Sequence, residues 1–79
     1  MTDERINVIA YSGYRGDEKP KAFILHNEKI EIVQILSMWI EEGLKDGTRK
    51  RSFKVKGNNG YEYKIYYYEK VGEWFLTRD

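Results

Sequence analysis

The sequence contains one histidine, His26, and this is the only side chain whose ordinary pKa lies near neutrality. Such a base would be needed to activate a serine nucleophile. None of Ser12, Ser37 and Ser52 stands in the G-x-S-x-G context that positions a catalytic serine. His26 lies in a polar cluster typical of a turn, so we interpret it as an exposed turn residue and expect no serine hydrolysis.

Paired carboxylates are a second source of acid–base chemistry. Asp17-Glu18 and Glu41-Glu42 are sequence neighbours, and adjacent side chains point apart on a strand or a helix, so neither pair predicts an acid–base couple. The absence of cysteine and the single histidine leave no ligand set for a structural zinc ion. The sequence therefore predicts a non-enzymatic protein with no cofactor and no metal.

The segment Gly13-Tyr14-Arg15-Gly16 could present backbone N–H groups and a guanidinium to a phosphate. A phosphate-binding fingerprint needs more glycines and a following helix, whereas Asp17, Glu18 and Pro20 follow here. We therefore predict a wide turn at this place.

The charges are segregated along the chain, although the net charge is only +1. From Lys45 to Lys64 there are seven basic and two acidic residues, whereas residues 1–44 carry five basic and eight acidic ones. Lysines can neutralise phosphates, and exposed tyrosine rings can stack on bases, so a basic segment with interleaved tyrosines indicates single-strand nucleic-acid contact. The same pattern also occurs on ordinary solvated sheet faces.

These residues must be positioned by a very small fold. A chain of 79 residues with 41% hydrophobic and 34% charged residues predicts one domain over 1–79, and twelve Phe, Trp and Tyr rings supply its core. The polar first residues lack the apolar segment of a signal peptide, and no apolar run approaches the ~20 residues of a membrane helix. We therefore expect a cytoplasmic protein.

Short apolar segments separated by turn residues predict strands at 6–11, 21–25, 52–56, 61–68 and 73–76. Asn27-Glu28 predicts a tight turn after the second of these, and Gly57-Asn58-Asn59-Gly60 is the strongest turn signal in the chain. Lys70-Val71-Gly72 predicts a further turn before the last strand.

Alternation fixes the register of the hairpin around Gly57-Asn58-Asn59-Gly60. Phe53 and Ile65 share the buried face only if Gly57 stands opposite Tyr61, which requires a three-residue loop that ends at Gly60. The outward face then carries four lysines and two tyrosines, with two arginines beside it. The residues predicted to contact nucleic acid are Arg49, Lys50, Arg51, Lys54, Lys56, Lys64, Tyr66 and Tyr68.

The segment from Ile30 to Glu42 fits two structures. As a helix, it places Ile32, Ile35 and Trp39 on one face at spacings of three and four. As a strand, it places Ile35 and Trp39 on the opposite side from Ile32, and both faces are partly apolar. The concentration of β-branched residues and the missing N-cap favour the strand.

The fold class that follows is mainly β, a five- or six-stranded antiparallel meander curled into a small open barrel. One helical segment around residues 31–44 is the alternative. In that case the fold would be α+β, with the helix covering one face of the sheet.

Several segments together resemble a family of short uncharacterised bacterial proteins. These segments are Gly13-Tyr14-Arg15-Gly16, Lys19-Pro20-Lys21-Ala22-Phe23, Ile30 to Trp39, Phe53-Lys54-Val55-Lys56 with Gly60-Tyr61, and Trp74-Phe75-Leu76. The resemblance covers most of the chain and implies a small β-rich domain without an established activity. Related-looking modules are appended to translesion-polymerase-like proteins, which implies a link to nucleic acid.

The sequence therefore predicts a small binding module that contacts RNA or single-stranded DNA through a basic, tyrosine-bearing sheet face. The alternative is a protein–protein interaction module with no affinity for nucleic acid, which would use exposed rings and the acidic N-terminal half. Neither prediction involves a membrane.

Overall fold

The computed structural model describes residues 3–12, 18–43 and 47–77, with only the backbone described at 11, 12 and 18. These residues form six strands and no helix, which confirms the mainly-β meander and the strand at Ile30 to Glu42. The strands are β1 (Glu4–Ser12), β2 (Glu18–Leu25), β3 (Glu28–Glu42), β4 (Arg49–Gly57), β5 (Glu62–Tyr68) and β6 (Glu73–Leu76).

Each strand pairs antiparallel with the next, and β6 returns to β1, so the strand order closes into a small barrel. The returning pair is short and joins Glu4 to Leu76, Arg5 to Phe75 and Ile6 to Trp74. The described residues contain no helix long and apolar enough to cross a membrane.

Turn residues fix the register of two hairpins, and the sequence predicted the register of the β4–β5 hairpin. The β2–β3 turn consists of His26 and Asn27 and thus lies one residue before the predicted Asn27-Glu28, because Glu28 is already the first residue of β3. Leu25 pairs with Glu28 across His26 and Asn27, which both have positive φ, as a two-residue hairpin turn requires. In the β4–β5 hairpin, the N–H of Gly57 donates to the carbonyl of Tyr61, so these two residues stand opposite each other.

The β4–β5 loop ends at Gly60, whose φ of +87° is the left-handed conformation that glycine adopts at low cost. The predicted three-residue loop is therefore confirmed. The segment Gly13-Tyr14-Arg15-Gly16, predicted to be a wide turn between β1 and β2, lies outside the described residues.

The barrel interior is filled by apolar side chains from all six strands. Phe23, Val55 and Ile65 are fully buried, and rings pack in pairs such as Phe53 with Trp74, whose centroids are 5.7 Å apart. The buried cluster consists of Ile6, Phe23, Ile30, Phe53, Val55, Ile65, Trp74 and Leu76.

β3 departs from regular alternation, and this changes which of its side chains face inward. Its register against β4 shifts between Ile32 and Gln34 and again between Ile35 and Ser37, which leaves Val33 and Leu36 as extra residues. Ile32 and Ile35 both pack against the core as a result. The predicted assignment of these two residues to opposite sides is therefore wrong, because an inserted residue reverses the parity of the strand.

β2 and β3 pair over only four residue pairs, which end at Ala22 and Glu31. Pro20 lies two residues before Ala22 and has no N–H to donate, so this part of β2 is suited to the edge of a sheet. β2 pairs with β1 up to Glu18, and β3 pairs with β4 up to Glu42. Residues 18–21 of β2 and residues 32–42 of β3 are therefore not paired with each other.

Candidate interaction surfaces

Among the candidate catalytic residues whose side chains are described, His26 and Ser52 contact different carboxylates. His26 is exposed in its turn, as predicted, and its Nε2 lies 3.1 Å from Oε2 of Glu4. Ser52 is buried and its Oγ donates to Oε2 of Glu41. In the described part of the chain, no group of three or more His, Asp or Glu residues is placed to hold a metal ion.

The β4–β5 hairpin carries the predicted lysines on its outward side. Lys54 stands opposite Lys64, and Lys50 and Lys56 follow the same alternation along β4. Cross-strand partners lie on one face of a sheet, so the structure brings these four side chains together. We refer to Lys50, Lys54, Lys56 and Lys64 as the basic face.

Carboxylates offset part of this charge. Nζ of Lys54 lies 3.5 Å from Oε1 of Glu62, and Nζ of Lys64 lies 4.0 Å from Oε2 of Glu41. Among the described residues, Lys56 has no ion pair. Lys50 and Lys56 are thus the two lysines of the basic face without an ion pair in the described structure.

Tyr66 lies on the same side of the hairpin, but its side chain is only 8% exposed. Its ring stacks on Phe75 with centroids 5.4 Å apart, Nζ of Lys50 lies 4.9 Å from its centroid, and its hydroxyl donates to Asp3. Burial raises the pKa of Tyr66 well above its ordinary value, and the bond to Asp3 adds to this. Tyr66 therefore lies on the predicted side of the hairpin, but neighbouring residues cover its ring and leave little of it to stack on a base.

Tyr68 is half-buried on the same side, next to Tyr66 along β5. Nζ of Lys50 lies 5.6 Å from the centroid of its ring. Lys50 therefore lies above both tyrosines, so this pair offers little free ring surface.

Arg49 and Arg51 do not extend the basic face. Side chains alternate along a strand, so both point to the other side of β4. Nε of Arg51 lies 3.2 Å from Oε2 of Glu69, and Nε of Arg49 lies 3.8 Å from Oε1 of Glu42. The sequence predicted these arginines to lie next to the lysines, whereas in the structure they lie on the opposite face of the sheet.

Glu41 and Trp39 form a polar cluster beside the basic face that the sequence did not reveal. The indole Nε1–H of Trp39 donates to Oε2 of Glu41 at 2.6 Å, and Nζ of Lys64 lies 5.3 Å from the Trp39 ring. The bond from Trp39 is the main cause that lowers the pKa of the Glu41 carboxyl, with further contributions from Ser52 and Lys64. This contact could have been predicted from the sequence, because two residues that are two positions apart on a strand lie on the same face.

The second surface is the side of β3 that faces β2. From Ile32 to Glu42, β3 pairs with β4 on one side, and no described strand pairs with it on the other. We refer to this side of Ile32–Glu42 as the open edge. The stretch Ser37–Glu42 has regular register with β4, so its free N–H and C=O groups keep the spacing of an ordinary strand.

The strand segment that carries the open edge has exposed apolar side chains. Val33, Met38 and Ile40 are 62%, 59% and 52% exposed, and Leu36 is 37% exposed. Four of the seven exposed large apolar residues in the described part of the chain therefore lie on one strand segment. A concentration of this kind marks an interaction site more often than scattered surface residues do.

Two grooves lie between β2 and the open edge, with volumes of about 610 and about 270 Å³, and the larger one extends across β3 to Arg51, Ser52 and Phe53 on β4. Lys19 lines both grooves, so it stands where they meet on the β2 side. We refer to the two grooves together as the trough. Its lining residues are Lys19, Pro20, Lys21, Ile32, Val33, Gln34, Ile35, Met38, Trp39, Ile40, Arg51, Ser52 and Phe53.

No family model, curated protein or solved structure matches the chain. The resemblance to short bacterial proteins therefore stays a prediction.

Proposed function

We propose that the protein is a small interaction module that binds a partner protein through the open edge of β3. One observation carries this proposal: Ile32–Glu42 lacks a strand partner on its β2 side in the described structure, and the same segment exposes four large apolar side chains. An unpaired edge is a template for another strand, because its N–H and C=O groups can continue the hydrogen-bond ladder.

The two bulges in β3 divide the open edge into unequal parts. Bulges at Val33 and Leu36 interrupt the spacing of the free backbone groups, which is one way in which proteins protect an edge. Ser37–Glu42 has no bulge. An incoming strand is therefore expected to form its hydrogen bonds with Ser37–Glu42 and to contact the earlier half through side chains.

A substitution on the open edge tests this function. Met38→Lys adds a charge to an apolar side chain that an incoming strand would cover, so affinity for edge-binding peptides should fall about tenfold or more. Random peptides displayed on phage would be selected against the wild-type protein, and the enriched sequences would be measured as labelled peptides by fluorescence anisotropy.

Val71→Lys is the matched control, because Val71 is also about half exposed but lies in the turn between β5 and β6. It should bind the selected peptides as the wild type does. Failure to enrich any peptide, or enrichment of peptides that bind both variants equally, would contradict a function at the open edge.

Contact with single-stranded nucleic acid is the second candidate, and the observation that favours it is the row of four lysines on the basic face. Exposed ion pairs such as Lys54 with Glu62 are weak, so phosphates can replace the carboxylates. The rings available for stacking are fewer than the sequence suggested, because Tyr66 is buried. Binding would therefore depend mainly on charge.

Four phosphate contacts predict a log–log slope of affinity against salt of about −3, because each contact with a single strand contributes about −0.7. Lys56→Glu should weaken binding to all sequences alike and flatten this slope by about 0.7. Lys29→Glu makes the same charge change on β3, away from the basic face, and should change the slope little. Anisotropy titrations of labelled oligonucleotides measure both, and a flat titration at ~50 mM salt would exclude this candidate.

A further inference from the structure

The charged residues that line the trough all have the same sign. Lys19, Lys21 and Arg51 are its three charged lining residues, and no carboxylate lines it in the described structure. Arg51 already faces Glu69 at 3.2 Å, whereas Lys19 forms no ion pair among the described residues. Within the described part of the chain, the β2 wall of the trough therefore presents the charge of Lys19 without an ion-pair partner.

The other lining residues are mainly apolar. Met38, Ile40 and Phe53 line the larger groove, and Ile32 and Val33 line the smaller one. A chain lying along the trough would thus contact apolar side chains on the β3 side and cations on the β2 side. The regular edge Ser37–Glu42 is about 20 Å long, which suits a strand of about six residues.

We propose that the trough receives an extended segment of a partner protein in which carboxylate side chains alternate with apolar ones. This inference rests on the proposed function and adds the chemistry of the partner. The apolar side chains of the segment pack against Met38 and Ile40, and its backbone pairs with Ser37–Glu42. Its carboxylates face Lys19 and Lys21 across the trough.

A second copy of this chain fits this chemistry less well. The acidic residues at the end of its own open edge are Glu41 and Glu42. Oε2 of Glu41 accepts hydrogen bonds from Trp39 and Ser52, and Oε1 of Glu42 lies 3.8 Å from Arg49. Glu41 is thus engaged within its own barrel, so a second copy could offer Lys19 only Glu42 from this end of the edge, and only by giving up the exposed pair with Arg49.

The test uses peptides of about twelve residues, long enough to cover the regular edge and reach beyond it. A random library displayed on phage is selected in parallel against the wild-type protein and against a Lys19→Glu/Lys21→Glu variant. Wild type should enrich Asp and Glu among apolar residues, and the variant should enrich Lys and Arg instead. Lys29→Glu is the matched control for charge reversal and should select the same peptides as the wild type.

One selected acidic peptide and its Asp→Asn, Glu→Gln analogue then give a double-mutant cycle. For the wild type, the amide analogue should bind about fivefold more weakly at low salt, as an ion pair of about 1 kcal/mol implies. For Lys19→Glu/Lys21→Glu this difference should disappear or reverse. The same cycle at 0.5 M salt should show a smaller difference, because screening weakens exposed charge pairs.

The outcomes separate this inference from the proposed function. Peptides that depend on Met38 but show no preference for acidic residues would overturn the inference and leave the interaction function standing. Self-association in sedimentation experiments that Met38→Lys abolishes would identify a second copy as the occupant and would also overturn it. The absence of any Met38-dependent peptide, without such self-association, would overturn both.

Discussion

Phe53→Ala is expected to lower the free energy of unfolding by about 3–5 kcal/mol, because it removes a buried ring and leaves a cavity. Phe53 is 3% exposed, stands opposite Ile65 on β5 and packs against Trp74. No disulfide contributes to stability, since the chain has no cysteine. Stability of a small domain is about 5–15 kcal/mol, so the loss would be a large part of the total.

Urea denaturation followed by tryptophan fluorescence measures this change. Tyr61→Ala is the control, because it removes an aromatic ring that is 69% exposed, and it should cost less than about 1 kcal/mol. A loss of less than about 1 kcal/mol for Phe53→Ala would show that the inward face of β4 has been assigned incorrectly.

Gly57→Ala is expected to destabilise the protein by about 1–3 kcal/mol, because the site has no space for a methyl group. A Cβ at Gly57 would lie 2.7 Å from Cγ2 of Ile30 and 2.9 Å from Oδ1 of Asn59. This Oδ1 accepts a hydrogen bond from the N–H of Tyr61, and Nδ2 of Asn59 donates to the hydroxyl of Tyr63. To admit the methyl group, the Ile30 side chain would have to shift in the core and the Asn59 side chain would have to give up these hydrogen bonds.

Gly60 provides the comparison within the same loop. A Cβ there would meet nothing within 4 Å, so Gly60→Ala tests only the cost of a positive φ, about 1–2 kcal/mol. Asn tolerates this conformation, so Gly60→Asn should recover most of the stability, whereas Gly57→Asn should not. Thermal unfolding of the four variants measures this pattern. Recovery at both positions would contradict a steric role for Gly57.

The local signals in the sequence were sufficient for most of the fold. The alternation around Phe53 and Ile65, together with Gly57 and Gly60, determined the β4–β5 register, because side-chain parity and a positive-φ glycine leave few other pairings. The strand preference of the β-branched residues after Ile30 was also correct. These features depend on neighbours in sequence, which a single chain displays directly.

The errors in the candidate site come from contacts between distant residues. The burial of Tyr66 depends on Phe75 and Asp3, and local alternation alone could not predict either contact. The two bulges of β3 have no glycine or proline to mark them, so the inward positions of Ile32 and Ile35 could not be predicted from parity. The open edge depends on where β2 and β3 stop pairing, which is a property of the whole barrel.

The short β1–β6 pairing has a consequence for the order of folding. Every other strand pair joins neighbours in the chain, whereas this one joins residues 4–6 to residues 74–76. The entropy lost on closing a loop rises with its length, so a pairing that encloses nearly the whole chain is the most costly to form. We expect the five hairpin pairings to accumulate first and the β1–β6 pairing to form late. On the same grounds, we expect the native barrel to open first at this pairing.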